Sequence, residues 1–321
     1  MGLGTFRYCL AFFVLASHLW LDMPHGFAAY SVWGFFLLSG FLMTYVIDTK
    51  YKYTLKGIIN YLYNRALRIY PLYWISFLMG IASMFILNKY GVNYGLLNPG
   101  FGWPDSLYHW LSNIFLLPDY FFNNPVPVAN ALRIECFYYL LMPFFARSKL
   151  IAWLSFSAGV IWNIYILTDT MVSYVDTFAT RYATIGPCSV AFIGGSLLYH
   201  YKDYLNGFSC KYLSIAAWIL HACIWLYFPY YPWGMGLYIS LCFTSWVILS
   251  LYKEASTKWD ILLGDLSYPV YLIHTTIGAL LINYFSDFRS FKYMLTGLFF
   301  TNIVCYLLIK IVDKPLKKWK K

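Results

Sequence analysis

The residues of this chain with the most chemistry to offer are ionisable groups set inside apolar runs. In hydrocarbon such a group is expensive unless it is paired or solvated, so each needs a reason to be there. His18 lies deep in AFFVLASHLW, and Arg7 opens the same run eleven residues earlier. On a helix, at about 100° per residue, that spacing puts both side chains on one face, about 16 Å apart along the axis. A cation at one mouth of the span then lines up with an imidazole beyond its middle. An anchoring arginine and a packed histidine would show the same spacing, so spacing alone leaves both readings open.

Arg65 and Arg68, in YLYNRALRIYPLYW, are at i and i+3 and project from one helix face. Two guanidinium forks at that spacing suit phosphate oxygens, which arginine binds in bidentate fashion. Anchoring at a membrane edge would use the same residues. Pro71 follows and is expected to kink the span and open room beside it. Glu135, in ALRIECFYYLLMPFF, is one of only two Glu, the other being Glu254 in an inner loop. Arg133, at i−2, points to another part of the helix. The partner of Glu135 is therefore expected from another span, and His18 and Arg181 lie at compatible depths.

Ser39-Gly40 in VWGFFLLSGFLMTY permits close helix approach and supplies a hydroxyl. In LLGDLSYPVYLIHTTI, Pro269 is expected to break the helix start, and His274 is a second intramembrane imidazole. His25 and His109 fall in outer loops, His200 and His221 look peripheral, and none of these four is given a function.

The elements that must position these groups follow from composition. Of 321 residues, 61% are hydrophobic, 22% aromatic and 11% charged. A soluble domain carries about 25% charged residues. Disorder, a disulfide mini-protein and an ordinary cytosolic enzyme are thereby excluded, leaving an all-α polytopic membrane protein. Ten apolar spans are expected, at 6–22, 31–48, 68–88, 130–146, 150–167, 181–200, 212–229, 233–251, 264–284 and 293–312. The first reads as a retained span, since His18 would be an odd guest in a discarded signal segment. With the N-terminus in the cytoplasm, 18 of the 23 Lys and Arg face inward and five outward, which places both termini in the cytoplasm. The net charge of +10 thus reads as an orientation signal rather than as nucleic-acid binding. The seven Cys show no metal-ligand spacing and read as small apolar filler. Two outer loops, 89–129 and 168–180, are longer than the rest, and the second holds Asp169 and Asp176. No repeat, linker or soluble domain is visible, so 1–321 reads as one integral-membrane domain.

Together these segments resemble acyltransferase family 3, multi-pass enzymes that modify bacterial surface glycans. Arg7 and His18 look like the family's Arg-x10-His pair. FFLLSGF at 35–41 looks like its second-span motif, and Arg65-Ala66-Leu67-Arg68 with Pro71 looks like its Arg-x-x-Arg element. The run Glu135, Tyr138, Tyr139, Leu140, Leu141, Pro143 is similar to Glu-x-x-Phe-Tyr-Leu-Leu-x-Pro. Gly264, Ser267, Tyr268, Tyr271, Leu272, His274 is similar to Gly-x-x-Ser-Tyr-x-x-Tyr-Leu-x-His. Val312-Asp313-Lys314-Pro315 is similar to the closing acid-basic-Pro. Asn130-Ala131 stands where the family often has Trp-Ser or Trp-Thr, and Trp33-Gly34 departs from the usual Asp before the paired Phe. These departures bear on the acceptor more than on the reaction.

The resemblance implies an acyl-CoA-dependent O-acetyltransferase of the bacterial cytoplasmic membrane, with no bound cofactor and no metal. Acyl-CoA, usually acetyl-CoA, would set its phosphates on Arg65, Arg68 and Arg7, with Ser39 at the donor. His18 would act as general base on the acceptor hydroxyl or accept the acyl group itself, roles that suit an imidazole titrating near neutral pH. Glu135 would orient His18 or hold the acceptor, with Tyr268 and His274 in support. The acceptor would be a glycan or lipid-linked glycan; the outer aromatics Phe101, Trp103, Tyr108, Trp110, Tyr120 and Phe121 would either stack on its sugar rings or anchor the chain as an interfacial aromatic belt. Besides the lipid bilayer, a separate envelope glycan-assembly protein is an implied partner. Rival readings are acylation of a lipid or small metabolite, and an anion transporter using Arg7, His18, Arg68 and Glu135. Transporters of that kind show inverted repeats and paired broken helices, and neither is visible.

Overall fold

The computed structural model describes residues 1–23, 26–118, 123–168, 174–228 and 232–321. Among them the regular structure is helical, with one isolated bridge between Phe101 and Asn124. The helices are α1 (Leu3–Leu19), α2 (Phe27–Val46), α3 (Leu55–Lys89), α4 (Leu107–Phe115), α5 (Ala129–Arg147), α6 (Lys149–Leu167) and α7 (Tyr174–Ala183). They continue with α8 (Ile185–His200), the short α9 (Lys202–Leu205), α10 (Lys211–Tyr227), α11 (Leu237–Leu251), α12 (Lys258–Leu281), α13 (Phe291–Leu308) and α14 (Lys314–Leu316).

A helix stands at each expected apolar span, but the count of ten spans is not reached by length and hydropathy. Among the described residues, five helical stretches are long and apolar enough to cross a membrane, or six if the bent pair α8 and α10, at 110°, is one span. α1, with 17 residues, is short. α5 and α12 are long enough, but the polar residues along them, Glu135 and His274 included, lower their hydropathy. α1, α5 and α12, which carry His18, Glu135 and His274, thus fall outside these stretches, whereas α2 and α3, which carry Ser39 and the Arg65–Arg68 pair, are among them. The protein is an all-helical membrane protein.

One expectation about proline is corrected: α12 runs unbroken through Pro269. α3 is likewise continuous through Pro71. A long flanking helix on each side supplies enough hydrogen bonds to absorb the one that proline removes.

The chain forms two compact units. The first comprises Met1–Leu3, Pro24–Leu62 and Ile134–Asp260; the second comprises Gly4–Met23, Tyr63–Arg133 and Ile261–Lys321. In the first unit α2 crosses α8 at glycine. A Cβ on Gly40 would stand 1.9 Å from the Phe192 carbonyl oxygen, and one on Gly195 would stand 2.0 Å from that of Leu37. Between these backbones Thr44 Oγ1 donates to Ser196 Oγ at 2.8 Å. Small residues let membrane helices approach in this way, and a hydroxyl then finds a partner across the seam. Close approach at Ser39-Gly40 is as the sequence suggested.

In the second unit α12 lies along α1. A Cβ on Gly264 would meet Gly4 Cα at 2.9 Å, and one on Gly278 would meet the Leu19 side chain at 2.5 Å. Both contacts advance in the same chain direction, so α1 and α12 run parallel. Tyr293 of α13 donates to the Gly278 carbonyl at 2.6 Å, and Tyr8 of α1 to Asn302 at 2.8 Å, which tie α13 to the pair.

The segment 89–129, expected on the outer side, is folded in its described part. It contains α4, capped by Ser106, whose hydroxyl accepts from the His109 N–H at 3.1 Å. Asn124 N donates to the Gly100 carbonyl at 2.9 Å. Of the other outer segment, α7 covers Tyr174–Ala183, so Arg181 belongs to a helix of its own before α8. Asp169 lies outside the described residues.

Candidate active site

The parallel packing of α1 and α12 brings two imidazoles together in the second unit. The rings of His18 and His274 have centroids 5.3 Å apart, tilted by 39°. His274 is fully buried. Its Nδ1 bonds to the Val270 carbonyl one turn back, at 3.0 Å. A carbonyl only accepts, so Nδ1 carries the hydrogen, and in the neutral ring Nε2 is left with a bare lone pair. That Nε2 is buried and has no partner among the described residues. His18 is half-buried.

Arg289 secures the end of α1 that carries His18. Its Nη2 donates to the Ser17 carbonyl at 2.9 Å, and its own carbonyl accepts from Leu21 N at 2.8 Å. Carbonyls in the last turn of a helix have no intrahelical partner, and a guanidinium fills that role well. The Arg289 backbone is left-handed, with φ of 57°, a conformation that costs a bulky residue energy and is kept where the surroundings impose it. Sequence reasoning used Arg289 only as an outer charge, because nothing local ties it to residue 17.

Arg7 stands on α1, and Arg65 and Arg68 on α3, in the same unit. Neither Arg65 nor Arg68 has a carboxylate partner among the described residues, and the Arg65 Nε–H is buried without an acceptor. Tyr268 donates to the Ile69 carbonyl at 2.9 Å, next to Arg68, and so fastens α12 to α3.

Glu135 and Ser39 belong to the first unit. Ser39 Oγ donates to Glu135 Oε1 at 2.8 Å, and the Tyr139 hydroxyl, one turn along α5, donates to the same oxygen. The expected partner from another span is thus a hydroxyl of α2. Arg181 is not that partner: it is buried, with its guanidinium over the Phe178 ring at 5.6 Å. Ser39, expected at the donor, spends its proton on the carboxylate. Arg133, in the second unit, donates to Asn113 Oδ1 at 2.7 Å.

Residues 2–310 match the family model described as an acyltransferase domain, that of acyltransferase family 3. The chain belongs to this family. No curated protein and no solved structure matches it.

Several motif residues of this acyltransferase have structural tasks. Phe36 of FFLLSGF stacks on Phe192 with centroids 4.5 Å apart, and Tyr138 stacks on the same ring, also at 4.5 Å. Tyr271 donates to the Val128 carbonyl at 2.6 Å, and Ser267 to that of Gly264 at 2.8 Å. Gly264 is small because Gly4 passes over it.

Among the described residues, the aromatics expected on the outer side do not form an open platform. Phe101 is buried against Tyr94, Trp103 packs on Phe85 with centroids 4.9 Å apart, and Trp110 packs edge-on against Phe77 at 6.0 Å. Only Tyr108, of the four described, is exposed. Tyr120 and Phe121 lie outside the described residues, as does His25. Apolar rings this close to α3 gain more from packing on it than from facing water. His221 is not peripheral: it is buried, and its ring stacks on that of Phe243 at 4.9 Å. His200 Nε2 bonds to the Phe145 carbonyl at 2.9 Å.

Beyond His274, α12 borders an apolar cavity of about 500 Å³ lined by Ile277, Leu281, Leu87, Phe300, Val304 and Tyr284, among others.

Proposed function

We propose that this acyltransferase moves an acyl group, acetyl in the first instance, from acyl-CoA to a hydroxyl of an extracytoplasmic glycan, in the bacterial inner membrane. The observation that carries this reading is the His18–His274 pair. An imidazole set against a second one with a bare lone pair suits proton transfer. In the reaction His18 turns one ring N–H toward His274 Nε2 and keeps its other nitrogen as the base. That nitrogen takes the proton of the acceptor hydroxyl as its oxygen bonds to the acyl carbon. The carbon–sulfur bond breaks, and the proton passes to the departing CoA thiolate. If the acyl group is first carried on His18, the same base attacks the thioester itself.

Arg65 and Arg68, with no carboxylate partner among the described residues, supply the charge that the donor phosphates need, and Arg7 adds to it. Glu135, held by Ser39 and Tyr139, is a separate carboxylate with a part in the reaction. A second reading of the acceptor has support in the apolar cavity, whose lining begins one turn past His274: a lipid-linked glycan or a lipid would lay its chain there.

The test is to supply purified protein in nanodiscs with labelled acetyl-CoA and a delipidated envelope-glycan extract. Thioester consumption and label in the glycan are expected with wild type and not with His18→Ala. Turnover that persists in folded His18→Ala protein would refute the assignment.

A further inference from the structure

Within the second unit, residues 320 and 321 lie against α3 at Tyr63 and Asn64. Asn64 is buried, and its side-chain amide pairs with the backbone of Lys321: Lys321 N donates to Oδ1 at 2.9 Å, and Nδ2 donates to the Lys321 carbonyl. Two bonds between one side-chain amide and the backbone of one residue fix both position and direction of the strap. The Lys321 ammonium lies over the Tyr63 ring, 4.9 Å from its centroid. Asn64 precedes Arg65 and is at i−4 from Arg68, so the strap is clamped where the two guanidinium groups emerge.

Charge at this place is unbalanced. Asp265 and Asp313 are both engaged by Lys317, at 2.9 and 3.6 Å, and Asp313 reaches Lys320 only at 4.0 Å. No carboxylate is left for Arg65 or Arg68 among the described residues. Lys320 feels this crowding. Burial lowers its pKa, Asp313 opposes that, and the like charges of Arg68, Lys317 and Arg65 push in the same direction as burial. Four cations against two carboxylates, with a buried Arg65 Nε–H lacking an acceptor, is an arrangement that an anion would complete.

We propose that Lys320, fixed by the Asn64–Lys321 pairing, forms with Arg65 and Arg68 a single binding site for a phosphate-bearing ligand. Resting on the donor reading above, that ligand is the CoA moiety of the acyl donor. The strap thus contributes a third cation from a segment some 250 residues away in sequence. An anionic lipid headgroup offers the same chemistry, and the experiment separates the two.

Wild type, Lys320→Ala, Lys320→Arg and Asn64→Ala are titrated with CoA by calorimetry in phosphatidylcholine nanodiscs. Each is also recovered from phosphatidylglycerol-containing nanodiscs for native mass spectrometry of retained lipid. Thermal unfolding of each variant shows that the fold is kept. For Lys320→Ala about tenfold weaker CoA binding is expected, as for the loss of one charge-assisted contact, with Lys320→Arg close to wild type and Asn64→Ala also weakened. If wild type binds CoA and Lys320→Ala binds it equally, the strap site is overturned while the donor reading stands. If wild type ignores CoA but retains phosphatidylglycerol in a Lys320-dependent way, the phosphate site stands and the donor reading falls. If neither ligand depends on Lys320, the proposal is overturned.

Discussion

His18 of α1 and His274 of α12 face one another with ring centroids 5.3 Å apart, and the Nδ1 hydrogen of His274 is committed to the Val270 carbonyl. That commitment leaves one acceptor nitrogen for the space beside His18. Fixing the tautomer of a base through a second residue is the role a buried carboxylate plays in hydrolytic triads. Here an imidazole is in place to do it without bringing a charge into the membrane.

His18→Ala is expected to lower turnover at least about 100-fold, the scale of a lost general base. His274→Ala should lower turnover less, about tenfold or more, with the donor KM unchanged. His274→Gln should recover part of the loss through its carbonyl acceptor. Steady-state kinetics on purified protein measure all three. A His274→Ala enzyme with full turnover would leave that residue a packing role only.

Glu135→Gln should slow the reaction without weakening donor binding, because the amide keeps the shape but loses the charge. Ser39→Ala removes one hydrogen bond to the carboxylate, at a cost of about 1.5–3 kcal/mol. Comparing unfolding temperature with turnover for the two variants separates stability from chemistry. An unaltered rate in Glu135→Gln would make this carboxylate structural.

Arg65→Ala and Arg68→Ala should each weaken acyl-CoA binding by about 1–3 kcal/mol, as for a lost charge-assisted contact. The loss should shrink as ionic strength rises, since screening weakens the contact in wild type too. Calorimetric titration over a range of salt checks both statements. Equal donor affinity in wild type and both variants would leave these arginines as membrane-edge anchors.

Glycine substitutions should rank by what the new methyl meets. Gly40→Ala drives a Cβ to 1.9 Å from a backbone oxygen, which cannot move aside alone, and should cost about 3 kcal/mol or more. Gly297→Ala meets the Leu19 Cδ1 at 2.6 Å, the end of a flexible side chain, and should cost about 1 kcal/mol or less. Thermal unfolding in detergent gives the order directly.

Helix positions and the membrane class were readable in the sequence because both follow from local properties. An apolar run with few charges has no other stable form in lipid than a helix. The value of Ser39-Gly40 for close approach was readable too, since a missing Cβ has the same consequence in any partner. Pairing was not readable. Ser39 rather than Arg181 meets Glu135, and Asn64 meets Lys321, because partners depend on how each helix is rotated and how deep it sits. The packing of Phe101, Trp103 and Trp110 was not readable for the same reason. A tryptophan in a polar loop looks exposed until α3 is seen to pass beneath it, as Phe85 does under Trp103.

The sequence by itself determined that the protein is helical and membrane-bound, which side chains are chemically able to act, and which family it belongs to. Only the tertiary structure decided that His18 faces His274, that Arg289 holds the end of α1, and that Arg65 and Arg68 lack carboxylate partners among the described residues. These are contacts between segments far apart in the chain. Their geometry is set by interlocking surfaces, such as Gly264 against Gly4, which no local pattern encodes.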